Sequence, residues 1–276
     1  MTTMTRAKPV VVEVGTPARD PTDFCLPRGY RQGVRNESLD HTGEYPDYWH
    51  PARLAMSGRY QRHVYRWAAG LIPRRGLRSV LDVGCGPGTK LAEWIEPVCA
   101  DVEGMDQPSA VEIARTRCRH TRLRAVDLER PAVEAQRTFD LILFADVVEH
   151  LLDPDPALAM IRSFAHPRTL VLVSTPDRDR VRGRGCREAV KREHVREWSR
   201  GEFVSFLRSR GLRPVRSRLV PQDDRPVRSC LRGEAAFRLR LADRSALQCH
   251  AVLCRVEGAG RADATNGGSH ADRRDL

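Results

Sequence analysis

The chain is poor in aromatic residues, nearly devoid of lysine, and lacks any closely paired cysteine motif. Aromatic side chains are 6% of the 276 residues, so the interior must come from Val, Leu and Ala. Stacking platforms of the kind that hold single-stranded bases are correspondingly scarce. Lysine occurs only at Lys8, Lys90 and Lys191, although Lys and Arg together number 47 against 36 Asp and Glu, for a net charge of +11. Such an arginine bias follows genomic base composition, and on its own it names no nucleic-acid partner. The eight cysteines never form Cys-x-x-Cys, which excludes the common zinc-ribbon and thioredoxin-type spacings. They read as free, buried thiols in a reducing compartment. The apolar run Val10-Val11-Val12 is far too short for a signal-peptide core or a membrane span. A soluble, cytoplasmic protein is expected.

What the chain does have is one organising stretch, from Ser79 to Lys90: Ser-Val-Leu-Asp-Val-Gly-Cys-Gly-Pro-Gly-Thr-Lys. It reads as a short buried strand, a glycine-dense turn and the start of a helix over Leu91 to Ile95. Glycines at 84, 86 and 88 allow positive φ and let a ligand approach the backbone with no Cβ in the way. The helix start offers free N–H groups to the same space. The spacing excludes two familiar cradles. A dinucleotide fingerprint needs glycine where Thr89 stands. A phosphate-binding loop needs Gly-Lys-Ser/Thr, whereas here Thr89 separates Gly88 from Lys90 and Leu91 follows.

Residues 1–44 are broken by Pro, Arg and Gly without a sustained period and are expected to be mostly irregular. Over 45–76 the aromatics concentrate, and Tyr60, Val64, Trp67, Ala68 and Leu71 have helical spacing. This helical cap packs on the core, lies over the ligand pocket as a lid, or does both. Strand and helix patterns then alternate: Ala100–Asp106, a helix over Val111 to Cys118, Leu123–Leu128, Phe139–Phe144, a helix through Leu158 and Phe164, and Thr169–Ser174. That rhythm predicts an α/β domain over 77–256 with a doubly wound, mostly parallel sheet and ligands at the strands' carboxyl ends. Residues 212–220 and 246–256 alternate as a final antiparallel pair, which makes seven strands. The Gly-, Ala-, Asp- and Arg-rich tail, 257–276, is expected to be disordered.

The pattern Asp82-x-Gly84-x-Gly86-x-Gly88 resembles the first motif of the class I S-adenosylmethionine-dependent methyltransferases, and the resemblance extends over roughly residues 78 to 256. It implies their Rossmann-like fold and S-adenosyl-L-methionine as cofactor. It also implies donor contacts from Asp82, Gly84, Cys85, Gly86 and Gly88 of the turn, with Asp82 holding the turn through backbone N–H groups. Asp106 and Gln107 follow the second strand, where a carboxylate can accept the ribose hydroxyls. Asp127 and Leu128 match the adenine site, and Phe144, Ala145 and Asp146 close strand four. The segment Asp146-x-x-Glu149-His150-Leu151 looks like the subgroup containing the ubiquinone-pathway O-methyltransferases, and His194-Val-Arg-Glu-Trp-Ser199 resembles a block in bacterial relatives of that subgroup. An S-adenosylmethionine-dependent methyltransferase acting on oxygen of a small-molecule or carrier-linked acceptor is expected, with N-methylation or a non-catalytic cofactor- or RNA-binding relative as alternatives. Asp-Pro-Pro-Tyr is absent after strand four, which weighs against methylation of nucleic-acid bases.

Methyl transfer to oxygen benefits from a base, because a phenol has a reference pKa of about 10. His150 and His194 fall at the carboxyl edge of the sheet, and His150 is the candidate base. The bland alternatives are a capping role for His150, a surface or anchoring role for His194, and a turn cap for Asp146, which could otherwise orient the donor. No metal-ligand spacing stands out. Residues 178–200 and 212–244 each carry nine basic and four acidic side chains. Either these are solvated faces, or they meet a phosphate-bearing acceptor.

Overall fold

The computed structural model describes residues 19–38, 48–222 and 247–258. Nearly all of the expected tail, the first part of the N-terminal segment and much of the second basic stretch lie outside the described residues. Seven strands, β1 (Ser79–Val83), β2 (Asp101–Asp106), β3 (Arg122–Ala125), β4 (Phe139–Ala145), β5 (Ala165–Pro176), β6 (Leu212–Val220) and β7 (Cys249–Val256), form one sheet in the order β3-β2-β1-β4-β5-β7-β6. The first five are parallel. β7 enters antiparallel between β5 and β6. Winding reverses at β1, which lies between β2 and β4, and this switch point opens a crevice at the carboxyl ends of the strands.

Among the described residues six α-helices flank the sheet: α1 (Pro51–Ser57), α2 (Arg62–Arg75), α3 (Pro108–Arg117), α4 (Asp155–Ser163), α5 (Arg178–Val181) and α6 (Arg200–Ser209). The helix expected after the glycine turn is a single π-helical stretch over Leu91–Ile95. All five residues of β1 are buried, as a strand covered on both faces requires. Period-2 alternation sorts β4 between two cores. Leu141 and Leu143 join Val64, Ala68 and Leu71 of α2 on one face, while Ile142 and Phe144 join Leu158 of α4 and Phe203 of α6 on the other. The helix α2 ends where Gly76, at φ 61°, turns its N–H back onto the carbonyls of Ile72 and Pro73. α6 begins with a capping box between Ser199 and Glu202.

Two features depart from the sequence reading. β3 stops at Ala125, so Asp127 and Leu128 lie in the loop beyond it. The N-terminal segment is irregular apart from a short 3-10 turn over Pro21–Phe24, yet it is part of the core: Phe24, Leu26 and Tyr30 are at most 3% exposed. Its partner is the strap 177–199. Trp198 is fully buried and donates its indole N–H to the Phe24 carbonyl at 2.8 Å. The Arg196 guanidinium lies 3.8 Å from the centre of the Phe24 ring and donates to the carbonyls of Leu151 and Leu152 at 2.9 and 2.7 Å. Much of the basic character of this strap is therefore structural. Arg178 pairs with Glu202, Arg182 with Glu197 and Arg192 with Glu37.

Candidate active site

The glycine turn is tied to the end of β2. The N–H groups of Gly84 and Cys85 donate to the Met105 carbonyl at 2.7 and 3.1 Å. The Gly86 N–H donates to Asp106 Oδ2 at 2.6 Å, and the Gln107 N–H to Asp106 Oδ1 at 2.8 Å. Asp106, not Asp82, thus holds the turn. Asp82 lies beneath it, fully buried, with one oxygen accepting the Tyr65 hydroxyl at 2.7 Å and the other unpaired. Burial pushes its pKa up to about 7, against the lowering effect of the Tyr65 bond. At Gly84, φ is 82° and an added Cβ would fall 2.3 Å from Val147 Cγ2. At Gly86, φ is 57° and a Cβ would fall 3.3 Å from the Trp49 ring. These are backbone positions no side chain could occupy without moving its neighbours.

Above the turn is a cavity of about 600 Å³. Of the residues expected to contact donor, Gly84, Gly86, Asp106, Gln107, Leu128, Ala145 and Asp146 line it. Asp82, Cys85, Gly88, Asp127 and Phe144 are not among its lining residues. Cys85 and Phe144 point into the two cores. Gly88 gives α3 room, since a Cβ there would meet Ala114 Cβ at 2.9 Å. Asp127 is exposed and accepts the Glu129 N–H at 2.9 Å; its buried neighbours Val126 and Leu128 face the cavity instead. In the expected cap α2 packs on the sheet, and Trp49, Tyr60 and Gln61, which precede it, line the cavity.

On the acceptor side the chain from β4 meets the strap. Asp146, at φ 62°, ends the strand in the left-handed region. Glu149 accepts the Val195 N–H at 2.7 Å through its carbonyl, which docks the strap on this turn. The rings of His150 and His194 consequently meet edge to face, 4.9 Å apart. His150 Nδ1 bonds the Glu193 carbonyl at 2.7 Å. His194 is buried at 2% exposure, not on the surface. Its Nδ1 lies 2.7 Å from Glu197 Oε1 and its Nε2 lies 3.2 Å from Lys191 Nζ. Glu197 also receives both arms of Arg182 at 3.1 Å. Those bonds hold its carboxylate low, although burial works in the opposite sense.

Burial, reinforced by its neighbours His194 and Lys191, drives His150 down to about 3, so its imidazole stays neutral. Burial and the neighbouring Asp146 charge push Glu149 well above the carboxylate range. Burial acts on Asp146 too, but Glu149, Lys191 and the histidines hold it low. Neither Glu149 oxygen accepts a hydrogen bond from the described residues, and its neutral carboxyl donates to Asp146. Glu149, His150 and His194 each offer a ligand atom within 4.8 Å of the others, so they could hold a metal ion. The sequence reading did not anticipate that cluster, nor Lys90, Lys191 and Glu197 in the cavity wall. A usable signal existed for the lysines. In a chain so biased to arginine, two of the three lysines line this one cavity.

A methyltransferase-domain family profile matches residues 48–217, and the chain belongs to that family of S-adenosylmethionine-dependent methyltransferases. It is 35% identical over 150 residues to a ubiquinone biosynthesis O-methyltransferase of Sinorhizobium medicae, covering 51% of this chain and 59% of the relative. To the protein of the same name from Roseobacter denitrificans it is 32% identical over 177 residues, covering 58% and 68%. The first of these matches thus spans little more than half of the relative's length. Among solved structures, a chain of the complex between the Haloferax volcanii Trm112 methyltransferase activator and a methyltransferase shares the fold, with a TM-score of 0.57 and 16% identity over 78% of this chain and 96% of that one.

The cofactor is S-adenosylmethionine, and the residues present fit it. The glycine turn leaves a bare backbone face, the Asp106 carboxylate lies on the cavity wall, and Leu128 and Val126 supply an apolar wall. Unpaired buried atoms, Asp146 Oδ1 among them, stand in need of a polar ligand. The bound donor supplies an activated methyl group. The protein's own work is to bind it, align the acceptor and exclude water.

Proposed function

We propose that the enzyme methylates an oxygen of a small-molecule or carrier-linked acceptor, with His194 removing the acceptor's proton. The observation that carries this reading is the buried Glu197–His194 pair facing the cavity at 2.7 Å. A carboxylate on Nδ1 keeps the proton there and leaves Nε2 as the accepting atom. That Nε2 accepts the Lys191 ammonium at 3.2 Å, so an arriving acceptor must displace this bond to reach the lone pair. An acceptor oxygen arriving at this point would have a base on one side and an ammonium to favour its negative charge on the other. His150, held neutral and bonded to the Glu193 carbonyl, serves here as packing for His194, so the base passes from the first histidine to the second. The names of the curated relatives support an oxygen acceptor. A phosphate on the acceptor would find Arg182 and Lys191 as the cavity-lining cations of the basic strap.

A second reading has its own observation, the Glu149–His150–His194 cluster with a carboxyl that accepts no hydrogen bond from the described residues. A divalent cation there would lower the pKa of a bound hydroxyl and make a base unnecessary. The test uses methyl-labelled donor with matched phenol and amine probes, products being assigned by mass spectrometry. Methyl ethers are expected, and products from the amines alone would overturn oxygen transfer. Turnover abolished by a chelator and restored by a divalent cation, with Glu149→Gln inactive, would replace the base by the cation.

A further inference from the structure

Lys90 follows the glycine turn at a place where neither a phosphate loop nor a dinucleotide fold explains it. Its side chain runs back under α1 and lines the same cavity as Gly84, Gly86 and Asp146. Nζ donates to the Ser57 carbonyl at 3.2 Å and lies 5.2 Å from the centre of the Tyr65 ring. That ring is itself fixed by the Tyr65–Asp82 hydrogen bond. The ammonium is thus held from two sides. Ser57 takes one of its three N–H donors, which leaves capacity for a ligand.

Two further donors on the cavity wall have no partner among the described residues. Trp49 Nε1 and Gln61 Nε2 are both buried, and Gln61 is only 2% exposed. An unsatisfied buried donor is costly unless something arrives to accept from it. An unpaired acceptor, Asp146 Oδ1, stands on the same cavity. One cation, two neutral donors and one carboxylate oxygen are what an α-amino-acid zwitterion requires, and the donor ends in such a group, its methionyl tail.

We propose that Lys90 binds the carboxylate of the donor's methionyl tail, with Asp146 Oδ1 available to its α-ammonium. The alternative is a structural lysine that only offsets the charges of Asp82, Asp106 and Asp146 around it. A structural lysine would support every ligand equally, whereas a recognition lysine favours the ligand that carries the carboxylate.

The experiment is calorimetric titration of the full chain with S-adenosylhomocysteine and with its decarboxylated analogue, in which hydrogen replaces the carboxylate. Wild-type protein should prefer S-adenosylhomocysteine by roughly ten- to a hundredfold, the usual range for a charged hydrogen bond. Lys90→Met should lose that preference by weakening S-adenosylhomocysteine alone, and Lys90→Arg should retain much of it. Equal weakening of both ligands in a folded Lys90→Met protein would overturn the proposal. So would equal affinity of the two ligands for wild-type protein, a measurement that needs no variant to fold. Wild-type protein that bound neither ligand would remove the donor itself, and the role of Lys90 with it.

Discussion

Replacing His194 by alanine tests the proposed chemistry most directly. At pH 7 a phenol of pKa about 10 is ionised to roughly one part in a thousand. Without a base the enzyme must rely on that fraction, so turnover on such an acceptor should fall by about 10³, within the ~10²–10⁴ typical of a lost general base. The loss should shrink to a few-fold for a nitro-substituted phenol of pKa near 7, which is already half ionised. The structure also sets the side effect. His194 removal leaves Glu197 with its two bonds from Arg182, so the buried carboxylate stays paired and a stability cost of about 1–3 kcal/mol is expected. Melting temperature and S-adenosylhomocysteine affinity therefore accompany the rate measurement. A loss of equal size across phenols of different acidity, in protein that is folded and binds donor, would refute the base.

Three other outcomes follow from the donor side. Asp106→Ala removes a charged acceptor and should weaken S-adenosylhomocysteine binding by roughly ten- to a hundredfold; an unchanged dissociation constant would take Asp106 out of the site. Gly86→Val places a β-branched residue at φ 57° against Trp49, so titration should show donor binding lost while circular dichroism shows the sheet retained. Asp82 has a folded-state pKa of about 7, above the ordinary value near 4, so the folded chain keeps a proton that the unfolded chain has released. Stability should fall as pH rises from about 4 to about 7. The advantage of Asp82→Asn in unfolding free energy, from denaturant titration, should then widen by about 2–3 kcal/mol between pH 5 and pH 8, and a gap independent of pH would contradict the assignment.

The donor half of the site was legible in the sequence because its parts are local. The turn after β1 shows its glycines, β4 shows an apolar run over 141–145, and Asp106 falls at the expected distance from the turn. The failures there are one-residue matters. With β3 ending at Ala125, Val126 and Leu128 rather than Asp127 turn inward, and no spacing in the sequence reveals where a strand stops. Asp106 rather than Asp82 holds the turn because the N–H groups of the turn face β2. The acceptor half depends on the meeting of His150 with His194. Backbone bonds such as that from Val195 to the Glu149 carbonyl make that contact, and main-chain pairing leaves no residue-type signature.

The packing of residues 19–38 against the strap bears on where this enzyme can be cut. Gly33 donates to the Val195 carbonyl at 2.7 Å, and the Tyr30 hydroxyl accepts the Glu197 N–H at 2.8 Å. Both contacts fix the stretch that immediately follows His194. The family match begins only at residue 48, so a version trimmed to that boundary would keep β1, the glycine turn and Asp106 while losing the scaffold beneath the acceptor site. On the proposed assignment of His194, such a fragment would bind donor without a working base, and an activity screen run on it would misread a truncation as an inert family member.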